Sequence, residues 1–176
     1  MKKPAVFLDR DGVLTEERGY VCSEKELKIF NFTAGCIQKI KQKGYWTIVI
    51  TNQSGVARGF FSLQTLQQMN YYLKRESGVD AIYYCPHYEK GIVSKYAIKC
   101  HCRKPEIGLI EMACNDFNID MDKSIMVGDR ESDIELGKNA GIRTVLLESG
   151  YGSKRLEKRI EPDYIFQDLR DIIKIL

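Results

Sequence analysis

A pair of carboxylates follows directly on a short apolar run near the start of the chain. Ala5–Leu8 leads into Asp9-Arg10-Asp11-Gly12-Val13. Two carboxylates two residues apart lie on the same side of an extended chain, and Gly12 lets the backbone turn sharply behind them. Taken alone, the pattern is as typical of an acidic turn or helix cap as of a catalytic site.

Polar clusters also follow other apolar runs. Ile48–Ile50 ends in Thr51-Asn52-Gln53-Ser54-Gly55, whose hydroxyls, amides and backbone N–H groups are suited to a phosphate. Val127-Gly128 runs into Asp129-Arg130-Glu131-Ser132-Asp133, which adds two more aspartates. Arg103-Lys104-Pro105 supplies cations from a long polar segment.

Together these clusters have the parts of a phosphoryl-transfer site. Carboxylates from two strand ends can hold Mg²⁺, while waters and a substrate phosphate complete its octahedron. One aspartate can attack phosphorus to form an aspartyl-phosphate, and a second can protonate the leaving oxygen and later deprotonate water. Thr51 and Lys104 are suited to stabilise the charge on the phosphoryl oxygens.

The elements that must position these clusters alternate between short apolar runs and helical patterns. Such alternation predicts an α/β fold with a Rossmann-like parallel sheet and helices on both faces. Strands are expected at Ala5–Leu8, Trp46–Ile50, Ala81–Tyr84, Ser124–Val127, Thr144–Leu147 and Tyr164–Phe166. Open parallel sheets place their ligands at the carboxyl ends of the strands, where the polar clusters stand.

Helical spacing fills the intervals between the strands. One helical face is expected to carry Leu63, Leu66, Met69 and Leu73, and another Ile107, Ile110, Cys114 and Phe117. Shorter helices are expected at Ala34–Lys43, Ile134–Asn139 and Leu169–Leu176, with Gly44 and Gly141 as left-handed stops. The remaining long connections, 12–32 and 85–105, predict functional loops.

Six cysteines accompany only two histidines, and four of these eight residues form two close pairs. Cys85-Pro86-His87 and Cys100-His101-Cys102 suit a tetrahedral structural zinc with no open position, the alternative being buried thiols. His101 lies between two of these cysteines; a ligand set that includes it is the alternative, but its position predicts that it points outward, toward substrate or solvent. We therefore predict a zinc site made by Cys85, His87, Cys100 and Cys102, and plain thiols at Cys22, Cys36 and Cys114.

The ordered set of motifs resembles the haloacid dehalogenase-like (HAD-like) phosphatases over nearly the whole chain. The matching motifs are Asp9-Arg10-Asp11-Gly12-Val13, Thr51-Asn52-Gln53, Arg103-Lys104-Pro105, and Gly128-Asp129-Arg130 with Asp133. The resemblance implies that Asp9 is the nucleophile and Asp11 the general acid and base, with Thr51 and Lys104 as the phosphoryl clamp. It also implies Mg²⁺ ligated by Asp9, the Asp11 backbone carbonyl and Asp129, with Asp133 in support.

The zinc loop at 85–105 is similar to that of a small-domain subgroup, the heptose 1,7-bisphosphate phosphatases and the related histidinol-phosphate phosphatases. Members of this subgroup lack a large cap domain. Glu17-Arg18-Gly19-Tyr20-Val21 resembles the Asp-His-Gly-Tyr-Val stretch of the heptose enzymes, where the histidinol-phosphate enzymes carry a proline-rich segment. The resemblance implies removal of the C7 phosphate from a heptose bisphosphate, with histidinol-phosphate phosphatase as the alternative.

Substrate contacts are expected around the metal site. We expect Tyr20 to pack on the sugar, and Arg18 and Arg103 to meet the phosphate that is not cleaved. Arg18 and Arg103 would form a basic rim around the site. Arg58 either adds to this rim or is a solvated loop residue. Further contacts are expected from Glu17, Gly19, Asn52, Gln53, Ser54 and Arg130.

The composition favours one globular domain over 1–176, at 20.3 kDa with 44% hydrophobic and 29% charged residues. The first apolar run stops at Asp9, too early for a secretion signal, and no run approaches the length of a membrane span. We expect a cytoplasmic monomer that binds a small phosphorylated sugar and neither nucleic acid nor membrane.

A zinc-bearing nucleic-acid-binding module is the alternative of a different class. It would draw on the zinc loop, the aromatic residues and the basic residues at 154–159. The net charge of +3 is too mild to indicate nucleic acid, and four aspartates around one site would repel its phosphates unless Mg²⁺ intervened. The basic residues are interrupted by Leu156 and Glu157 and are typical of a solvated helix face.

Overall fold

The computed structural model describes residues 2–151 and 160–176. Within these residues, parallel strands form one six-stranded sheet in the order β3-β2-β1-β4-β5-β6. The strands are β1 Ala5–Leu8, β2 Trp46–Asn52, β3 Ala81–Cys85, β4 Ile125–Gly128, β5 Arg143–Leu147 and β6 Tyr164–Phe166. The predicted parallel α/β sheet is confirmed.

Helices cover both faces of this sheet. They are α1 Thr33–Gln42, α2 Leu63–Ser77, α3 Gly108–Asp116 and α4 Glu131–Asn139, with 3₁₀ turns at Met121–Lys123 and Leu169–Ile175. Alternate strand residues face opposite sides, so Val6 and Leu8 join a core with α1 and α2. Ala5 and Phe7 join the opposite core with α3 and α4.

Two helical predictions differ from the structure. The helix expected at Leu169–Leu176 is a 3₁₀ helix. On α3 the buried side chains include Leu109, Ile110 and Ala113, whereas Cys114 is exposed. The expected face is confirmed for Ile107, Ile110 and Phe117, which belong to or pack against the core, and was wrong for Cys114.

The sheet order brings the polar clusters together. β1 lies between β2 and β4, so the chain reverses its direction of winding at β1 and leaves a crevice at the carboxyl ends of these strands. Asp9 follows β1 and Asp129 follows β4, while the Asp9 N–H donates to the Val127 carbonyl at 2.9 Å. Thr51 belongs to β2 itself, which runs two residues further than predicted.

The described residues contain no helix that is both long and apolar enough to span a membrane.

Candidate active site

A cavity of about 260 Å³ opens at the carboxyl edge of the sheet. Predicted site residues supply most of its lining: Asp9, Asp11, Glu17, Gly19, Tyr20, Thr51, Asn52, Gln53, Ser54, Arg103, Lys104 and Arg130. Arg18 is exposed and is not part of this lining. The loops after four strands therefore converge on one polar crevice.

The base of the crevice is acidic. One carboxylate oxygen each from Asp9, Asp129 and Asp133 lies within 4.8 Å of the others, and all three residues are buried. Burial, reinforced by the charges of Asp9 and Asp133, raises the pKa of Asp129 to about 8. Burial likewise raises the pKa of Asp133 to about 6, against the attraction of Lys104.

A divalent cation fits this acidic base. The Oδ1 atom of Asp129 is buried without a hydrogen-bond partner, while its Oδ2 accepts from the Tyr151 N–H at 2.7 Å. An unpartnered buried carboxylate oxygen beside two further carboxylates matches the hard oxygen ligands of Mg²⁺. The Asp11 carboxylate is outside this cluster.

Lys104 is held at three points at the edge of the cluster. Its Nζ lies 2.9 Å from Asp9 Oδ1 and 2.6 Å from Asp133 Oδ1, and it donates to the Ile50 carbonyl at 2.9 Å. Burial opposes its charge, but Asp133 and Asp9 raise the pKa of Lys104 above its ordinary value. The side chain is therefore a fixed ammonium beside the candidate nucleophile.

Asn52 has a role that sequence reasoning did not foresee. Its Oδ1 accepts from the Lys104 N–H at 3.0 Å, and its Nδ2 donates to the Lys104 carbonyl at 3.2 Å. The expected substrate ligand thus ties the backbone of Lys104 to the end of β2. Asn52 lines the cavity and at the same time orients the cation.

Hydrogen-bond donors surround the Asp11 carboxylate. Arg10 Nη2 lies 2.9 Å from Asp11 Oδ2, and Gln53 Nε2 donates to the same oxygen at 2.9 Å. Gln53 Nε2 also donates to Thr51 Oγ1 at 3.0 Å. The general acid expected from the sequence is thereby linked to the hydroxyl of the expected phosphoryl clamp.

Glu17 and Arg130 meet across one side of the rim. Arg130 Nη2 lies 2.9 Å from Glu17 Oε2, and Glu17 Oε1 accepts from the Gly19 N–H at 2.8 Å. The Arg130 guanidinium lies 4.2 Å from the ring centroid of Tyr151. The pair joins the loop after β1 to the loop after β4.

Aromatic and basic side chains form the other side of the rim. Tyr20 packs edge-on against Phe60 with ring centroids 4.6 Å apart. The Arg58 guanidinium lies 4.0 Å from the ring centroid of Tyr88 and its residue is half-buried, so Arg58 is packed and not fully solvated, but it is not part of the cavity lining. Arg103 Nη1 donates to the carbonyl of His87 at 3.2 Å.

The predicted zinc ligands lie together at the end of β3. Cys85, His87, Cys100 and Cys102 each place one ligand atom within 4.8 Å of the others. Cys100 Sγ lies 3.5 Å from Cys85 Sγ and 3.3 Å from Cys102 Sγ, and His87 Nδ1 lies 3.3 Å from Cys102 Sγ. These distances approximate the spacing of about 3.8 Å between ligands in a tetrahedron of 2.3 Å zinc–sulfur bonds. The donor set therefore fits zinc.

Two thiols of this cluster have pKa values shifted in opposite directions. A hydrogen bond from the Cys85 thiol lowers the pKa of Cys102 to about 5, while the same bond and burial raise the pKa of Cys85. His101 points away from the cluster, with its Nε2 2.8 Å from Glu111 Oε2. Its outward orientation agrees with the sequence prediction.

Some lining residues were missed by the sequence reasoning. They include Val21, Gly55, Phe61, Ser132 and Tyr151. Val21, Gly55 and Ser132 stood within quoted motifs and could have been found there. Tyr151 carried no signal, because only the neighbouring carboxyl ends of β4 and β5 bring it beside Asp129.

Gly12 marks a close approach that we expect to tolerate no side chain. Its φ is +83°, and a Cβ added there would collide with the Asp129 carboxylate. Left-handed backbone costs an L-residue about 1–2 kcal/mol even without a clash. Gly12→Ala should therefore lower the thermal midpoint by at least about 4 °C and impair turnover.

The matched control is Gly35→Ala in α1, where a Cβ meets no atom within 4 Å. This substitution should leave turnover unchanged and the midpoint equal or slightly higher. Thermal unfolding and phosphate release measure both variants. Equal behaviour of the two would contradict the close approach between Gly12 and Asp129.

Comparison with known proteins places this geometry in a family. The HAD-hydrolase-like family model matches residues 101–172. The D-glycero-beta-D-manno-heptose-1,7-bisphosphate 7-phosphatase of Haemophilus ducreyi is 39% identical over 98% of this chain and 98% of its own length. The chain belongs to the heptose-1,7-bisphosphate 7-phosphatase family. The D-glycero-alpha-D-manno enzyme of Photorhabdus laumondii is 42% identical over 85% of each chain.

A solved heptose bisphosphate phosphatase has a similar fold. The D,D-heptose 1,7-bisphosphate phosphatase of B. bronchiseptica, complexed with magnesium and phosphate, has a TM-score of 0.85. It is 28% identical and covers 97% of this chain and 96% of that one. The HAD-like phosphatase fold predicted from the ordered motifs, without a large cap domain, is confirmed.

Proposed function

We propose that this family member hydrolyses the C7 phosphate of D-glycero-D-manno-heptose 1,7-bisphosphate, through an aspartyl-phosphate on Asp9. The observation that carries the proposal is the convergence of Asp9, Asp11, Thr51 and Lys104 on one cavity, in a chain 39% identical to a heptose-1,7-bisphosphate 7-phosphatase over 98% of its length. The cavity of about 260 Å³ is open on one side, and suits part of a sugar phosphate.

Mg²⁺ would be held by the carboxylates of Asp9 and Asp129 and by the backbone carbonyl of Asp11, with Asp133 in support. When bound, it would neutralise the charge that accumulates between these carboxylates and a phosphate. The unpartnered Oδ1 of Asp129 and the raised pKa of that group support this assignment.

Asp9 is held for attack by the chain itself. Its Oδ1 accepts from the Arg10 N–H at 2.8 Å and from Lys104 at 2.9 Å, so these two donors fix the orientation of the carboxylate. In the proposed reaction Oδ2 forms the bond to phosphorus as the sugar oxygen leaves. Asp11 donates a proton to that oxygen and then accepts one from the water that cleaves the aspartyl-phosphate.

Charge stabilisation would come from Thr51 and Lys104. Both are buried at the cavity wall, where the hydroxyl of Thr51 and the positive charge of Lys104 act on a phosphoryl oxygen more strongly than in water. We assign the phosphate that is not cleaved to Arg103, which lines the cavity, and not to Arg18, which lies outside the lining. Tyr20 and Ser54 would meet the sugar, while the Glu17–Arg130 pair joins the loops around it.

Zinc is proposed as a structural ion in the Cys85, His87, Cys100 and Cys102 cluster. The chain passes from Cys102 directly to Arg103 and Lys104, so the ion would stiffen the segment that supplies both cations. We further propose that residues 1–176 act as one cytoplasmic domain and as a monomer.

A substrate comparison tests the proposed function. Phosphate release is measured with the alpha and beta anomers of the heptose bisphosphate, since relatives of both specificities match this chain, and with histidinol phosphate. We expect kcat/KM for the better heptose anomer to be at least about 100-fold higher than for histidinol phosphate. This ratio corresponds to roughly 2.7 kcal/mol of transition-state discrimination. A preference for histidinol phosphate would contradict the proposal.

The nucleic-acid alternative has a separate test. The basic residues at 154–159 lie outside the described residues. Binding to single- and double-stranded oligonucleotides is measured without Mg²⁺ over a salt series, and no appreciable affinity is expected.

A further inference from the structure

Gln53 lies between the two groups expected to act on opposite ends of the breaking bond. It is 5% exposed, and its Nε2 is 2.9 Å from Asp11 Oδ2 and 3.0 Å from Thr51 Oγ1. Its backbone N–H donates to the Cys85 carbonyl at 2.8 Å. Resting on the proposed function, we propose that Gln53 is a positioning residue that holds Asp11 in place for proton transfer to the leaving oxygen.

Arg10 holds the opposite side of the same carboxylate. The Arg10 Nε lies 3.1 Å from both oxygens of Asp11, and Nη2 lies 2.9 Å from Oδ2. The Arg10 residue is only 1% exposed, so its guanidinium has no room to turn toward solvent. A planar fork on one side fixes the plane of the carboxylate.

The Gln53 amide lies on the other side of the Asp11 carboxylate and fixes the distance between that carboxylate and the Thr51 hydroxyl of the phosphoryl clamp. A glutamine amide has two N–H donors, and here one faces Asp11 and the other faces Thr51. The clamp hydroxyl and the proton donor are therefore spaced by a single buried group. Small displacements of a proton donor are costly, because transfer needs hydrogen-bond reach to the leaving oxygen.

Gln53 has two routes to influence the rate, and the leaving group separates them. An alkyl phosphate such as a sugar phosphate loses a poor leaving oxygen that needs the proton from Asp11. p-Nitrophenyl phosphate loses a stabilised phenolate that does not need it. If a substitution of Gln53 acts by displacing Asp11, only the reaction of the sugar phosphate should slow. If it acts by displacing Thr51, the reactions of both substrates should slow.

The test is Gln53→Met, which keeps the length of the side chain and removes both N–H donors. We measure kcat/KM, because it covers steps only up to the first irreversible one, the formation of the aspartyl-phosphate. The later attack of water on the aspartyl-phosphate does not affect kcat/KM. We expect kcat/KM to fall about 30- to 100-fold for the heptose bisphosphate and less than about threefold for p-nitrophenyl phosphate.

Three further variants complete the experiment. Asp11→Asn should reproduce the same selective loss with a larger amplitude, and Thr51→Val should slow both substrates. Gln67→Met is the matched control, because Gln67 is exposed on α2 outside the cavity lining, and its Nε2 donates to the Tyr84 hydroxyl at 3.3 Å. Circular dichroism verifies folding, and Gln53→Ala replaces Gln53→Met if the larger side chain distorts the site.

The outcomes separate this inference from the proposed function. A selective loss in Gln53→Met supports the positioning role. Equal losses on both substrates, or none, overturn it while the Asp11→Asn result leaves the role of Asp11 intact. If Asp11→Asn itself shows no selectivity, the assignment of Asp11 as general acid fails, and the positioning role fails with it.

Discussion

Asp9→Asn is expected to reduce turnover by at least about 10⁴-fold, because an amide replaces the only atom proposed to bond to phosphorus. Asparagine keeps the shape of the side chain and an oxygen for the Arg10 N–H and for Lys104. The fold should therefore persist. Phosphate release with the heptose bisphosphate measures the loss.

Thermal unfolding measures whether the Asp9→Asn variant keeps its fold. The charge of Asp9 is one cause of the raised pKa values of Asp129 and Asp133, so its removal relieves a buried repulsion. Lys104 retains its ion pair with Asp133. We expect the midpoint of Asp9→Asn to lie within about 4 °C of the unsubstituted protein or above it.

Exposed Asp122 offers the matched control, since Asp122→Asn makes the same chemical change outside the cavity. It should leave turnover unchanged. Acid-quenched protein should carry one phosphoryl group on the peptide that contains Asp9, and Asp9→Asn should carry none. Turnover above about one-hundredth of the original rate, in a well-folded Asp9→Asn sample, would remove Asp9 as nucleophile.

Cys100→Ser is expected to release zinc and to destabilise the protein. Cys100 Sγ lies 3.5 Å from Cys85 Sγ and 3.3 Å from Cys102 Sγ, so it faces both neighbours in the cluster. Structural zinc contributes its binding free energy to folding. Loss of at least about 3 kcal/mol corresponds to a midpoint roughly 6–12 °C lower for a chain of this size.

Turnover should fall as well, because Lys104 follows the cluster by only two residues. Metal analysis of protein purified without chelators should find about one zinc per chain before substitution and little after it. Cys114→Ser is the control, since Cys114 is an exposed thiol on α3 outside the cluster. Absence of zinc from the unsubstituted protein, or unchanged zinc in Cys100→Ser, would contradict the site.

Much of this arrangement followed from the sequence because the relevant signals are local. Buried parallel strands give apolar runs, and the residues that end those runs must meet at one edge of the sheet. The positions of Asp9, Thr51 and Asp129 were therefore predictable. The two close pairs around Cys85 and Cys100 were predictable for the same reason, since each pair brings its own ligands together.

Side-chain direction was the part that the sequence could not supply. Asn52 binds the backbone of Lys104, a contact between residues 52 positions apart that no local pattern reveals. Arg18 is exposed outside the cavity lining, although the motif around it suggested substrate contact. Both outcomes depend on how separate loops pack, which spacing along the chain does not encode.

The buried cluster beneath the cavity also has a consequence for ion selectivity. When ionised, its three aspartates outweigh the single ammonium of Lys104 by two negative charges. One divalent cation would bring this cluster to formal neutrality, whereas a sodium or potassium ion would leave one buried negative charge in excess. The protein is thus expected to prefer divalent over monovalent ions through charge balance alone, before the size of the ion or its coordination geometry is considered.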